Sequence, residues 1–181
     1  MTKRIFFDTE FTELHQNTTL VSLGMISECG RTFYAEFTDY DKSQVDDWVM
    51  KHVITNLHLN PGYSGSIFKD INIKHMSHAI ANYLGEWLNS FYEPLELWGD
   101  CLAYDWVLIK ELMQKSIDYR GLPKNVYYIP FDICTLFNWK CLDPDIEREK
   151  FIGKLPDGKK HNAMYDAVVI KRCYDKLACL K

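Results

Sequence analysis

The chain has 181 residues, 47% hydrophobic and 25% charged, a globular usage that excludes a disordered or fibrous protein and is long enough for one domain with a sizeable core. A formal net charge of −4 excludes a broadly basic surface for phosphate, so any attraction for a polyanion must arise locally, for instance at bound metal ions. No apolar run approaches the roughly 20 residues of a membrane helix, and Met1-Thr2-Lys3-Arg4 gives way to acidic residues too soon for a signal peptide; a single cytoplasmic domain over 1–181 is expected. Strands are predicted at about 4–10, at Thr19 to Ile26 and at Thr32 to Phe37, with Gly30 supplying a positive φ in the turn between the last two, so the first third reads as an antiparallel meander. Asp41 to Leu57 has apolar residues near a 3.6 period and reads as a helix capped by Ser43. Leu59 to Ser66 is a loop, Lys74 to Phe91 an amphipathic helix, Leu95 to Trp98 a short strand and Ala103 to Lys115 a helix. Val126 to Phe131 reads as a strand, Ile133 to Leu142 as a short helix, Asp143 to Lys160 as an irregular loop rich in Pro and Gly, and Asn162 to Leu177 as the last helix. Antiparallel strands followed by alternating helices and strands define an α/β domain with a mixed sheet flanked by helices.

Asp8 and Glu10 lie two apart at the end of the first strand, so both carboxylates leave the same face. Two like charges that close repel, and a divalent cation between them relieves the repulsion. Asp105 follows the strand at 95–98 and Asp166 opens the last helix, the places where sites gather in open α/β sheets. His161 is five residues before Asp166. Five residues on a helix turn through about 140°, so His161 is expected just outside the helix, with Asn162 as its cap, on the loop ending at Lys160. An imidazole beside a carboxylate cluster is suited to proton transfer.

These residues resemble a known family. Asp8-Thr9-Glu10, Ala103-Tyr104-Asp105, and His161 five before Asp166 look like the three motifs of the DEDDh 3′–5′ exonuclease superfamily. More narrowly, Phe7 to Phe11, Ser22-Leu23-Gly24, Trp48-Val49 with His52-Val53, and Glu96-Leu97-Trp98 resemble the RNase AS type of bacterial exoribonuclease. The resemblance implies a ribonuclease-H-like fold and two Mg²⁺ or Mn²⁺ ions held by Asp8, Glu10, Asp105 and Asp166. It further implies His161 as general base, hydrolysis from the 3′ end of single-stranded nucleic acid with RNA favoured, nucleoside 5′-monophosphates as products, and a homodimer. A 3′–5′ exodeoxyribonuclease is the alternative, and an inactive module that grips a nucleic-acid end is a second; the latter should have lost an acid or the base, and all five positions are intact. Cys101 stands where many DEDDh enzymes have Asn.

Glu10, Phe11 and His161 are the candidate substrate contacts, Phe11 by stacking on the terminal base. Arg148, Lys150, Lys154, Lys159 and Lys160 could track a phosphate backbone or form a solvated loop. Asp100 is either an outer group of the cluster or simply exposed. His75 and His78, three apart on the predicted helix, offer a weak metal pair. Gly62-Tyr63-Ser64-Gly65 matches a GXXG pattern in the wrong context and reads as a turn. Trp48 and Trp98 fall on apolar stretches that favour packing. The six cysteines show no CxxC pair and no zinc spacing, so reduced thiols are expected.

Overall fold

A computed structural model describes residues 2–57, 59 and 70–180. Six strands form one mixed sheet: β1 (Lys3–Phe11), β2 (Leu20–Ser27), β3 (Thr32–Phe37), β4 (Asp70–His75), β5 (Leu95–Gly99) and β6 (Phe131–Asp132), in the order β4-β3-β2-β1-β5-β6. β1 to β3 form the expected meander, with Asp8 opposite Gly24 and Gly24 opposite Tyr34. Gly30, at φ 86°, makes the turn that an L side chain would strain. β4 runs parallel to β3, and β5 and β6 extend the other edge parallel to β1.

The helices are α1 (Asp47–His52), α2 (Ser77–Asn89), α3 (Asp105–Gln114), α4 (Ile133–Trp139), α5 (Arg148–Ile152) and α6 (Ala163–Cys179). Alternation along the strands divides the core. Ile5 and Phe7 of β1, Phe33 and Ala35 of β3, Ile71 and Ile73 of β4 and Leu97 of β5 pack on one face with Ile80, Leu84 and Trp87 of α2 and Ile109 of α3. Phe6 turns to the other face, against Ile133 and Phe137 of α4 and Val169 and Ile170 of α6. The central strand is apolar on both sides for that reason. Truncating Phe6 or Phe7, both fully buried, should cost about 3–5 kcal/mol. No helix among the described residues is long and apolar enough to cross a membrane.

Four expectations are corrected. The helix over Asp41 to Leu57 is broken into a 3₁₀ turn at Lys42–Gln44, α1, and a second 3₁₀ turn at Ile54–Asn56. Its caps are Asp41, which accepts from Ser43 N–H, and Asp46, which accepts from Val49 N–H; Ser43 caps nothing. The stretch begun at Lys74 as helix is instead β4 up to His75, with α2 starting at Ser77. His75 and His78 therefore sit on different elements, their rings 6.2 Å apart. The strand expected at Val126 to Phe131 is a lone bridge from Val126 to Leu95 followed by the two-residue β6. Within the expected loop Asp143 to Lys160 lies the short helix α5. The Gly62 to Gly65 turn lies outside the described residues.

Candidate active site

β1 outlasts its parallel neighbour. Its pairing with β5 ends at Phe6 opposite Trp98, while on the other side it stays paired to β2 as far as Phe11. Asp8, Thr9 and Glu10 therefore border a gap where β5 has turned away, at the carboxyl end of both strands, the usual place for a site in such sheets. A cleft of about 880 Å³ opens there.

Each of the other acids is delivered by a helix start. Asp105 is the first residue of α3, where a carboxylate complements the helix dipole. Its Oδ1 accepts from Thr9 N–H at 3.0 Å and from the Thr9 hydroxyl at 2.6 Å, so the backbone group that β5 no longer satisfies anchors α3 instead. Asp166 sits in the first turn of α6, whose N-cap Asn162 accepts from Met164 N–H and Tyr165 N–H. This turn lies on β2 at Gly24: a Cβ there would stand 2.3 Å from the Ala163 carbonyl carbon. Because Gly24 is opposite Asp8, the missing side chain lets Asp166 come beside Asp8.

The structure thus brings Asp8, Glu10 and Asp166 together, with ligand oxygens all within 4.8 Å of one another. Asp105 lines the same cleft, held on Thr9 and outside that close triad. The cluster is short of positive charge: among the described residues none of the four acids pairs with Lys or Arg. Burial, and then the charges of Asp166, Asp105 and Glu10, push Asp8 well above the usual carboxylate range. Burial and the Asp166 and Asp105 charges raise Glu10 to about 8. Asp166 is raised to about 7, mainly by burial, against the pull of the His161 N–H and Lys160. Burial also raises Asp105, opposed by the Thr9 hydrogen bonds. Crowded, buried hard oxygen donors such as Asp8, Glu10 and Asp166 are a donor set suited to Mg²⁺ or Mn²⁺.

His161 lies outside α6, in a left-handed conformation at φ 63°. Its N–H donates to Asp166 Oδ2 at 2.9 Å, which fixes the backbone and leaves the ring free. The ring meets Trp48 edge-on at 5.0 Å between centroids and stands 6.1 Å from His52. Burial, with Lys160 and His52, lowers its pKa. The loop beneath is held by Asn56, whose Nδ2 donates to the carbonyls of His52, Lys160 and His161 at 2.6, 3.1 and 3.3 Å. Asn162 donates in turn to Tyr34 Oη and Asn56 O.

Trp48, assigned to packing from the sequence, is 51% exposed and lines the cleft. Its four-residue spacing from His52 on a helical pattern was the available signal. Trp98 does pack, against Phe131 and Tyr174. Phe11 lines the cleft while stacking on Tyr104, centroids 5.4 Å apart. Asp100 is neither exposed nor near enough to join the triad. Arg148 grips it through Nε to Oδ2 at 2.7 Å and Nη2 to Oδ1 at 2.9 Å. Among the candidate phosphate-tracking residues, Arg148 is thus committed to Asp100 and Lys150 to Glu147. Lys160 lines the cleft, as Arg148 does.

The six-stranded mixed sheet with helices on both faces is a ribonuclease-H-like fold; superposition on Schizosaccharomyces pombe Pop2p, in a Mg²⁺- and Mn²⁺-bound form, gives a TM-score of 0.63 at 13% identity, covering 96% of this chain and 82% of that one. The chain belongs to the 3′-5′ exoribonuclease Rv2179c-like domain family, which it matches over residues 3–177. Two curated relatives are the 3′-5′ exoribonucleases Rv2179c and MT2234.1 of two Mycobacterium tuberculosis strains. Each is 32% identical over 110 residues, 60% of this chain and 60% of the relative. The chain thus matches less than two thirds of the length of these relatives.

Proposed function

We propose that residues 1–181 form a single exonuclease domain that hydrolyses single-stranded RNA from its 3′ end and releases nucleoside 5′-monophosphates. The observation that carries this reading is the convergence of Asp8, Glu10 and Asp166 within 4.8 Å, beside Asp105 and His161 in one cleft, in a chain of this family. Asp8, Glu10, Asp105 and Asp166 would hold two Mg²⁺ or Mn²⁺ ions, which when bound offset the four carboxylates and stabilise charge developing on the attacking and leaving oxygens. Thr9 keeps Asp105 oriented. His161, whose pKa burial lowers, would accept the proton of the attacking water through its imidazole. Phe11 and Trp48 present aromatic surface to the last bases of the strand, contacts that tolerate any base because each has a π-face. The homodimer and the cytoplasmic location implied by the resemblance are parts of the same proposal, the former tested by light scattering of the purified chain.

The deciding experiment incubates the protein with 3′-extended RNA and the matching DNA, in Mn²⁺, Mg²⁺ or EDTA, and identifies the products. Nucleoside 5′-monophosphates from RNA, absent in EDTA and in Asp8→Ala, are expected. DNA consumed at an equal or higher rate would reassign the substrate, and no release from either polymer would end the reading.

A further inference from the structure

A second cluster of reactive groups lies at the edge of the cleft and takes no part in the chemistry above. Cys101 sits in the turn between β5 and α3, exposed, lining the cleft, and at φ 53°. Cys134 lies in the first turn of α4, where Asp132 caps the helix by accepting from its N–H. Although 33 residues apart, their sulfurs are 3.6 Å from each other. Among the described residues no other two cysteine sulfurs meet. The Cys134 thiol also donates to Asp100 Oδ1 at 3.0 Å and accepts from Arg148 Nη2 at 3.1 Å.

We propose that Cys101 and Cys134 are a thiol–disulfide site on the cleft wall, oxidised by low-molecular-weight disulfides and reopened by thiols. The sulfurs are in contact already, and side-chain rotation that brings them to the roughly 2 Å of an S–S bond closes it. Exposure makes Cys101 the first to react: its thiolate attacks one sulfur of the incoming disulfide, the S–S bond of that molecule breaks, and one small thiolate leaves. Burial and the neighbouring Asp100 carboxylate hold Cys134 protonated, so it waits as the resolving group. The Cys134 thiol gives up its proton to solvent, Arg148 steadies the sulfur anion, and that sulfur attacks Cys101 and expels the second small thiolate, which takes up a proton in turn. Two protein thiols and one small disulfide thus become one protein disulfide and two small thiols. The bond ties the turn leading into Asp105 to α4, which makes the cleft wall sensitive to the thiol balance around it.

Asp100, Cys101 and Cys134 also place ligand atoms within 4.8 Å of one another, as a metal site would. Arg148, however, already donates to both Asp100 oxygens and to the Cys134 sulfur, so a guanidinium stands where the cation would go.

The test is independent of nuclease activity, so its failure and that of the proposed function are distinguishable. The reduced chain, freed of reductant, is treated with oxidised glutathione, alkylated and mapped by peptide mass spectrometry. The expected product is a peptide pair joined through Cys101 and Cys134 and released by dithiothreitol. In Cys134→Ser the pair is absent, and a glutathione adduct on Cys101 survives at least about tenfold longer than in the parent chain. Glutathione left on Cys101 of the parent chain with Cys134 still open to alkylation would overturn the proposal. So would stoichiometric Zn²⁺ bound to the reduced protein and lost in Cys101→Ser.

Discussion

His161 is fixed by its main chain and free at its ring. The N–H bond to Asp166 and the carbonyl bond from Asn56 hold the residue in its left-handed conformation, while the imidazole stands over the cleft against Trp48. Replacing it by Ala removes only the ring, so turnover should drop by about 10²–10⁴, the usual worth of a positioned acid–base group. Mn²⁺ affinity measured by calorimetry should stay within a few-fold. If metal affinity vanished as well, the imidazole would be a ligand and not a base. Trp48 is a different kind of contributor. Half exposed at the rim, it has more ring surface than its packing uses, and base stacking on such a ring is worth about 1–3 kcal/mol. Trp48→Ala should raise KM for RNA roughly tenfold or more with kcat little changed, read from initial rates. An unaltered KM would confine Trp48 to supporting His161.

The approach of α6 to β2 is what makes the acid cluster. Gly24 is the point of contact, and its Cβ in Gly24→Ala would collide with main-chain atoms at Ala163 and Met164, not with a flexible side chain. The helix start has to move, at an overpacking cost of about 1–3 kcal/mol, and Asp166 moves with it away from Asp8. Loss of activity together with a lowered melting temperature is expected; a variant of parental activity would show that the first turn of α6 need not lie so close. Asn56 acts on the same loop from the opposite side. In Asn56→Ala three carbonyls lose their donor, each bond being worth about 1 kcal/mol or less where water can substitute. A fold that melts only a few degrees lower, with kcat reduced and KM for RNA preserved, is the expected pattern, and Asn56→Gln should not restore it because the longer amide misplaces the donor.

Acids from β1, α3 and α6 share one cleft, so the stability of the entire fold should follow their protons and the binding of the proposed metal ions. Glu10 is raised to about 8 and Asp166 to about 7, with Asp8 raised as well. A carboxyl whose pKa is higher folded than unfolded binds its proton more tightly in the native state, so its contribution is full at low pH and is lost as pH rises from about 4, the unfolded value, towards the folded one. The metal-free protein should therefore lose melting temperature between about pH 5 and pH 8. Bound Mn²⁺ stabilises in proportion to its preference for the folded chain, and it competes with those protons, so its stabilising effect should grow across the same interval. Calorimetric scans in EDTA and in Mn²⁺ that ran parallel from pH 5 to 8 would contradict this linkage.

Much of this architecture was legible locally. The meander followed from strand alternation and from Gly30, and the start of α6 from the capping chemistry of Asn162, which also put His161 outside the helix. Asp8 and Glu10 share a face because strand side chains alternate, whatever surrounds them. β4 has little local signal: two buried residues, Ile71 and Ile73, beside Lys74 and His75, which continue a helical pattern equally well. β6 has none, because two residues carry no period. Other features had no local signal at all. Thr9 and Asp105 bond across 96 residues, Asp100 finds Arg148 across 48, Cys101 meets Cys134, and Gly24 matters only for the helix laid upon it. Periodicity, turns and caps are properties of neighbouring residues and are written in the order of the chain. Which acid meets which, and where charge is left uncompensated, depends on how closely distant elements pack, and only the tertiary structure decides that.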